Sequence, residues 1–216
     1  LSTLPAKLLV EPSNQFNVVR GEAREIKFKL KGTKGPPPPL VFLTSDQARR
    51  LQRDWASYLR LDVNEVSKIP QGPKLTLIPP GEFLMGSTEE QIQQQLSEFR
   101  KKFGPVPDAK RLEAEKPQHK VRISKPFYIS THEVTFDNFV KFATTAKGYL
   151  TEPEKKGGGG GTGIESGKET ARRTEFSWKN AGFPQSKEHA VCNITWKDAE
   201  AYCAWLSQQE GKTYRL

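Results

Sequence analysis

Only two cysteines occur in the 216 residues, Cys192 and Cys203, beside one methionine and three histidines. Two thiols cannot build the multi-bridge framework of small secreted domains, so packing must hold the fold together. Cys192 is expected on an extended segment and Cys203 two turns into the next helix, and the spacing leaves open whether the pair meets. No apolar run approaches transmembrane length, and no secretory h-region opens the chain. The first residue is Leu1 rather than Met, so the sequence reads as a piece of a longer protein and defines no compartment.

Hydrophobic residues are also scarce, at 35%, while 17 glycines and 16 prolines forecast extensive loop. The net charge of +9 raises a nucleic-acid reading that the charge distribution weakens. Lysine and arginine are scattered over residues 20–34, 49–60, 100–111 and 168–179, with no aromatic-interleaved stripe and no zinc-finger or RNP pattern. These are solvated faces, and no nucleic-acid partner is expected.

What is present divides into three stretches. Residues 1–43 carry short apolar or alternating runs, among them Glu25-Ile26-Lys27-Phe28-Lys29-Leu30, with a turn at Arg20-Gly21-Glu22 and a stiff Gly35-Pro36-Pro37-Pro38-Pro39 spacer. This pattern resembles the end of an immunoglobulin-like sandwich, too short to close one alone. A linker over residues 44–73 follows. There Thr44-Ser45-Asp46 offers caps to a helix over 48–61, whose Ala48, Leu51, Trp55 and Leu59 form one stripe. From residue 74 to 216 strands and capped helices alternate.

Within that third stretch, residues 75–78 read as a strand, Pro79-Pro80-Gly81 as a turn, and residues 82–85 as the returning strand. Ser87 with Glu90, or Thr88 with Gln91, makes a capping box for a helix over 89–103 that turns Ile92, Leu96, Phe99 and Phe103 to one face. Residues 121–123 and 127–129 read as strands. Thr135 caps a helix carrying Phe136, Phe139, Val140 and Ala143, ended by Gly148. Thr195 and Asp198 cap the last helix, expected to bury Trp196, Ala199, Tyr202, Cys203 and Leu206 before stopping at Gly211. Trp178, Trp205, Phe176 and Phe183 read as core, because burying each contributes roughly 1.5–3 kcal/mol.

Chemistry-bearing motifs are few. His119, His132 and His189 have no second ligand at the spacing that puts two on one helix face, so no metal site is expected. No Gly-x-Ser-x-Gly elbow supports a Ser-His-Asp arrangement. The glycine run at residues 157–163 lacks the strand, helix and Lys-Ser/Thr pair of a phosphate cradle and reads as a mobile surface loop. Asn193-Ile194-Thr195 matches a glycosylation acceptor, although Thr195 is already explained as a cap. No residue of the chain is assigned a catalytic, cofactor-binding or metal-ligating role.

Four segments, taken in order, carry a resemblance. They are Leu77-Ile78-Pro79-Pro80-Gly81-Glu82-Phe83-Leu84-Met85-Gly86-Ser87, Pro126-Phe127-Tyr128-Ile129-Ser130-Thr131-His132-Glu133-Val134-Thr135, Ala190-Val191-Cys192-Asn193-Ile194-Thr195-Trp196, and Ala201-Tyr202-Cys203-Ala204-Trp205-Leu206. Together they resemble the formylglycine-generating enzyme, or sulfatase-modifying factor, family. The resemblance implies an α+β, loop-rich, C-type-lectin-like fold over residues 74–216, preceded by the short β-rich segment. It also implies that the sequence stops at Tyr214-Arg215-Leu216, where the family continues into its catalytic half.

The family's enzymes use oxygen and copper held by two cysteines to oxidise a cysteine of a sulfatase to formylglycine, and soft thiolates suit copper(I). Those two cysteines are expected beyond this sequence, so copper belongs to a complete family member and not to this stretch. Cys203 matches a family position that forms a structural disulfide with a later cysteine. Cys192 replaces a usual aliphatic residue. The helix ahead of residue 62 resembles lead-ins of planctomycete-type multidomain bacterial proteins, which slightly favours an extracytoplasmic setting. Two readings follow. One is part of a formylglycine-generating oxidoreductase whose partner is a sulfatase-type protein. The other is a non-catalytic lectin-like recognition or scaffold module serving another domain of the same protein.

Overall fold

The computed structural model describes residues 9–10, 43–104, 110–146, 148–157, 161–165 and 169–216. Apart from Leu9, Val10 and Leu43, the β-rich segment expected over residues 1–43 lies outside the described residues. In chain order the first elements are β1 (Leu9–Val10), α1 (Ser45–Leu59), β2 (Asn64–Val66), β3 (Lys74–Ile78), β4 (Gly81–Met85), α2 (Glu89–Phe103) and α3 (Lys110–Glu113). There follow β5 (His119–Ile123), β6 (Phe127–Ser130), α4 (Phe136–Thr145), α5 (Glu152–Lys155), β7 (Gly161–Glu165), β8 (Glu169–Arg173), α6 (Trp196–Glu210) and β9 (Tyr214–Arg215).

Threonine side chains begin the longer helices. Thr44, Thr88, Thr135 and Thr195 each accept from a backbone amide three residues on, supplying an oxygen to a donor that has no intrahelical partner. At α2 the box is Thr88 with Gln91, whose side chain returns the bond to the Thr88 amide at 2.9 Å. Helix α1 begins at Ser45, three residues before the apolar stripe, because Thr44 rather than a later residue is the cap. At the other end of α6, Gly211 takes the left-handed conformation (φ 67°) that a side chain resists.

The chain divides into two compact units. The larger takes in residues 59–78 and 126–216 together with β1. Its five-stranded sheet runs in the order β2-β3-β6-β1-β9, with each neighbouring pair antiparallel. Alternation on β3 buries Leu75 and Leu77 completely. Helices α4 and α6 supply the aromatic core, where Phe139 meets Phe142 edge-on at 5.3 Å and Trp178 at 5.0 Å. Tyr202 stacks against Phe139 at 6.2 Å, and Leu206 is fully enclosed. Each such aromatic contributes roughly 1.5–3 kcal/mol by burial, with a further ~0.5–1.5 kcal/mol for a well-oriented pair. The expected burial of Trp196 is corrected: it shares the three-four spacing of Ala199, Cys203 and Leu206, but it is the first residue of α6, the buried face begins only at Asp198 and Ala199, and Trp196 is 67% exposed.

The smaller unit holds residues 79–125 and most of α1. Its β4 pairs with β5 in a separate two-stranded ribbon, from Gly81 opposite Ile123 to Met85 opposite His119. The strand after Pro79-Pro80 therefore does not return onto β3, whose edges are taken by β2 and β6. Two successive prolines offer no amide for a tight hairpin, which lets the chain leave the first sheet. On α2 Ile92 and Leu96 are buried, whereas Phe99 is 39% exposed.

The glycine run also departs from expectation. Residues 161–165 are not loop but a strand, β7, paired along its length with β8 from Gly161 opposite Arg173 to Glu165 opposite Glu169. The glycines there serve close approach. A Cβ on Gly161 would stand 2.5 Å from Asn193 Cγ, and one on Gly163 would stand 2.6 Å from the Ala181 carbonyl oxygen and 2.7 Å from the Phe176 ring.

Candidate functional site

The starts of α5 and α6 converge on two carboxylates. Asp198, in the first turn of α6, is wholly buried. Its Oδ2 accepts from the Thr195 amide at 2.8 Å and the Thr195 hydroxyl at 2.7 Å. Its Oδ1 accepts from the Tyr149 hydroxyl and the Glu152 amide, both at 2.9 Å. One side chain thus caps α6 and also holds the start of α5. The Tyr149 hydroxyl is pushed far above its ordinary value, first by burial and then by this bond to a carboxylate.

Glu154 on α5 is the second centre. Its Oε2 accepts from the Thr151 amide and hydroxyl, each at 2.8 Å, and from Trp178 Nε1 at 3.1 Å. Lys179 Nζ donates to Oε1 at 2.6 Å and lies 5.2 Å above the Trp178 ring. Burial alone would raise this carboxyl, but the bonds from Lys179, Thr151 and Trp178 outweigh it and bring Glu154 down to about 2. A carboxylate offers about four acceptor positions, and Glu154 and Asp198 each have four donors seated. Asp198 carries two donors on each oxygen and has no free lone pair, whereas Glu154 takes three donors on Oε2 and only Lys179 on Oε1. Their chemistry is positioning.

A second buried carboxylate, Glu210, sits in the last turn of α6. It accepts from the Ser67 hydroxyl and from the Tyr214 hydroxyl, the latter at 2.5 Å. Burial and this contact drive the Tyr214 hydroxyl strongly upward. Lys212 pairs with Glu65 beside it, so the segment after α6 is tied to β2 and to the turn after it.

The residues singled out by sequence do not gather at one place. Cys203 is buried on α6 and its thiol is raised to about 11, chiefly by burial. Cys192 is half-buried, also raised by burial, with Gln185 Nε2 at 3.8 Å from its sulfur. Both thiols are free. His119 and His132 are exposed on local contacts to the Pro117 carbonyl and the Thr131 hydroxyl. His189 accepts from the Ser186 amide at 2.7 Å. Among the described residues no three histidine, cysteine, aspartate or glutamate side chains form a metal-binding group.

Asn193 is committed to structure. Held at φ 56°, it accepts from the Thr162 amide at 3.0 Å and donates to the Thr162 and Ser177 carbonyls, both at 3.2 Å. It thereby fastens β7 to the turn that carries Trp178. Phe176 and Trp178 are buried as expected, while Phe183 is 40% exposed beside His189.

Residues 62–216 match the sulfatase-modifying factor enzyme 1-like domain. The chain belongs to that family. Curated relatives include the formylglycine-generating enzyme of Bos taurus, 27% identical over 172 residues, covering 68% of this chain and 41% of the relative. The formylglycine-generating enzyme of Mus musculus is 28% identical over 155 residues, covering 63% of this chain and 36% of the relative. The chain thus spans about two fifths of the length of these relatives. Among solved structures, PvdO from Pseudomonas aeruginosa aligns with a TM-score of 0.41 at 24% identity, over 67% of this chain and 43% of that one.

The expected α+β, loop-rich sulfatase-modifying-factor fold is therefore the fold of this family domain. Among the described residues no helix is long and apolar enough to cross a membrane. Sequence reasoning read Asp198 only as a cap and missed Glu154 and Glu210. A Thr-x-x-Glu box at Thr151 was the available signal for Glu154. The donors from Trp178 and Lys179 lie 24 and 25 residues away and leave no local trace.

Proposed function

We propose that the protein containing this domain oxidises a cysteine of a sulfatase-type polypeptide to formylglycine, and that residues 62–216 supply its ordered scaffold. The observation that carries this reading is the family match over residues 62–216. The identity to two formylglycine-generating enzymes supports it. Molecular oxygen is the oxidant and copper(I) the cofactor in this proposal. Cys192 and Cys203 do not fit the copper pair, because burial raises both thiols where a copper(I) site needs thiolates. The copper ligands are accordingly assigned to cysteines other than these two.

The second reading, a non-catalytic lectin-like recognition or scaffold module, draws on the saturated state of Asp198 and on the Lys179 ion pair that holds Glu154. A carboxylate with every acceptor position filled, as at Asp198, holds loops in place rather than performing proton transfer.

The complete gene product, given copper, oxygen and a peptide containing Cys-x-Pro-x-Arg, separates the two. Hydrazide-trapped aldehyde that persists in Cys192→Ser and Cys203→Ala variants supports the oxidase and its copper assignment. Loss of aldehyde in Cys203→Ala with an unchanged melting midpoint would put the metal on Cys203. Peptide bound but unmodified selects the recognition module.

A further inference from the structure

The sheet of the larger unit is completed by residues that lie outside the family match. Strand β1, at Leu9–Val10, sits between β6 and β9, while the match begins at residue 62. Its register places Leu9 opposite Ile129 and Arg215, and Val10 opposite Tyr128 and Tyr214. Strand β9 ends the sheet, and among the described residues β1 is its only sheet neighbour.

Hydrogen-bond alternation defines which backbone groups face this strand. The Tyr214 amide is taken by Ser207 Oγ at 2.9 Å, so on β9 the groups turned toward β1 are those of Arg215. The Thr131 amide goes to the Lys74 carbonyl at 2.8 Å, so Thr131 and Ile129 face β3 and Tyr128 faces β1. Leu9 therefore pairs with Arg215, and Val10 with Tyr128. Two rows of backbone donors and acceptors line a slot one strand wide. Only an extended polypeptide satisfies both rows at once.

We propose that the space between β6 and β9 is a strand-acceptor site for an extended aliphatic peptide segment, filled by the chain's own Leu9–Val10 and exchangeable with the same segment supplied free. Residues 11–63 separate this segment from β2, so its docking is an intramolecular binding event with an effective concentration set by that tether. The recognised chemistry is the Leu8-Leu9-Val10 run, flanked by Pro5 and Pro12, which carry no amide to extend a ladder.

The test uses the full chain with Leu9→Pro and Val10→Pro together, which removes both facing donors. Exchange of the Arg215 and Tyr128 amides should quicken at least about tenfold, while the amides of β2 and β3 keep their protection and report an intact fold. A labelled peptide of residues 4–13 should bind the double variant at least about tenfold more tightly than the unaltered chain, and should restore Arg215 protection. Unchanged exchange at Arg215, or no peptide binding by a folded variant, overturns the proposal. In a second experiment, Leu9→Cys with Arg215→Cys should give an intramolecular disulfide on oxidation, because paired antiparallel Cα atoms stand about 5.5 Å apart. A covalent dimer would place the segment on a second copy, and absence of any cross-link would remove the pairing itself.

Discussion

The Tyr149 hydroxyl donates to Asp198 Oδ1 at 2.9 Å, so the chain before α5 is fixed to the first turn of α6 through one buried carboxylate. That carboxylate also serves the Glu152 amide and both polar groups of Thr195. Removing it strands four donors, while removing the phenol strands none. Asp198→Ala is therefore expected to lower unfolding free energy by at least ~2 kcal/mol, and Tyr149→Phe by ~1 kcal/mol. Thr195→Ala should cost ~1 kcal/mol through loss of the cap. Urea titration of the three variants checks the order, and an Asp198→Ala no weaker than Tyr149→Phe contradicts it.

Glu154 predicts an acid limb of stability. Its folded carboxyl titrates at about 2 against an ordinary 4.5, so the stabilisation is fully present above about 4.5. It fades as pH falls through the range between these values, where the unfolded chain takes up the proton first. Glu154→Gln should melt below the unaltered chain at neutral pH, and the gap should close as pH approaches about 2. Thermal melts across that range measure it. A gap that stays constant with pH would show that the Glu154 charge is not what stabilises.

Three glycines rank themselves by surroundings. Gly163→Ala drives a methyl into the Ala181 carbonyl and the Phe176 ring, neither of which can move away, and should cost ~2–3 kcal/mol. Gly161→Ala meets the Asn193 side chain, which can yield only by surrendering its bonds to Thr162 and Ser177, for ~1–2 kcal/mol. Gly157, at φ 88° with nothing within 4 Å of an added Cβ, bears only backbone strain of ~1 kcal/mol. Melting midpoints that fall in the reverse order would refute this ranking.

Thiol labelling tests the view that neither cysteine is a poised thiolate. At neutral pH iodoacetamide should modify Cys192 slowly, and Cys203 more slowly still, because burial holds the latter at about 11. Peptide mapping over time reads both sites, and rapid labelling of Cys203 in the folded chain would overturn the assignment.

Local chemistry made much of this fold legible. Thr88 with Gln91 and Thr195 with Asp198 announce α2 and α6 because a cap and its amide are three residues apart. Alternation announces β3 for the same reason. What escaped is non-local. No pattern within Glu82-Phe83-Leu84 says that β4 pairs with β5 rather than β3. The glycines of β7 look like a loop until Asn193 and Phe176 are seen to press against them. Glu154 looks like one more surface charge until Trp178 and Lys179 close over it. The exposed Trp196 misled because size argues for burial, whereas its place at the helix start decided otherwise.

The pairing of Leu9 with Arg215 sets a timetable for assembly. Helices such as α4 can form as soon as their own residues exist, but this contact must wait until nearly every residue between its partners has left the ribosome. Until then the outer edge of β1 has no partner strand, the kind of surface that invites mispairing with other chains. Contacts of such long sequence separation close slowly, so the β1–β9 pair is a late one, and its closure takes that edge out of reach of other chains.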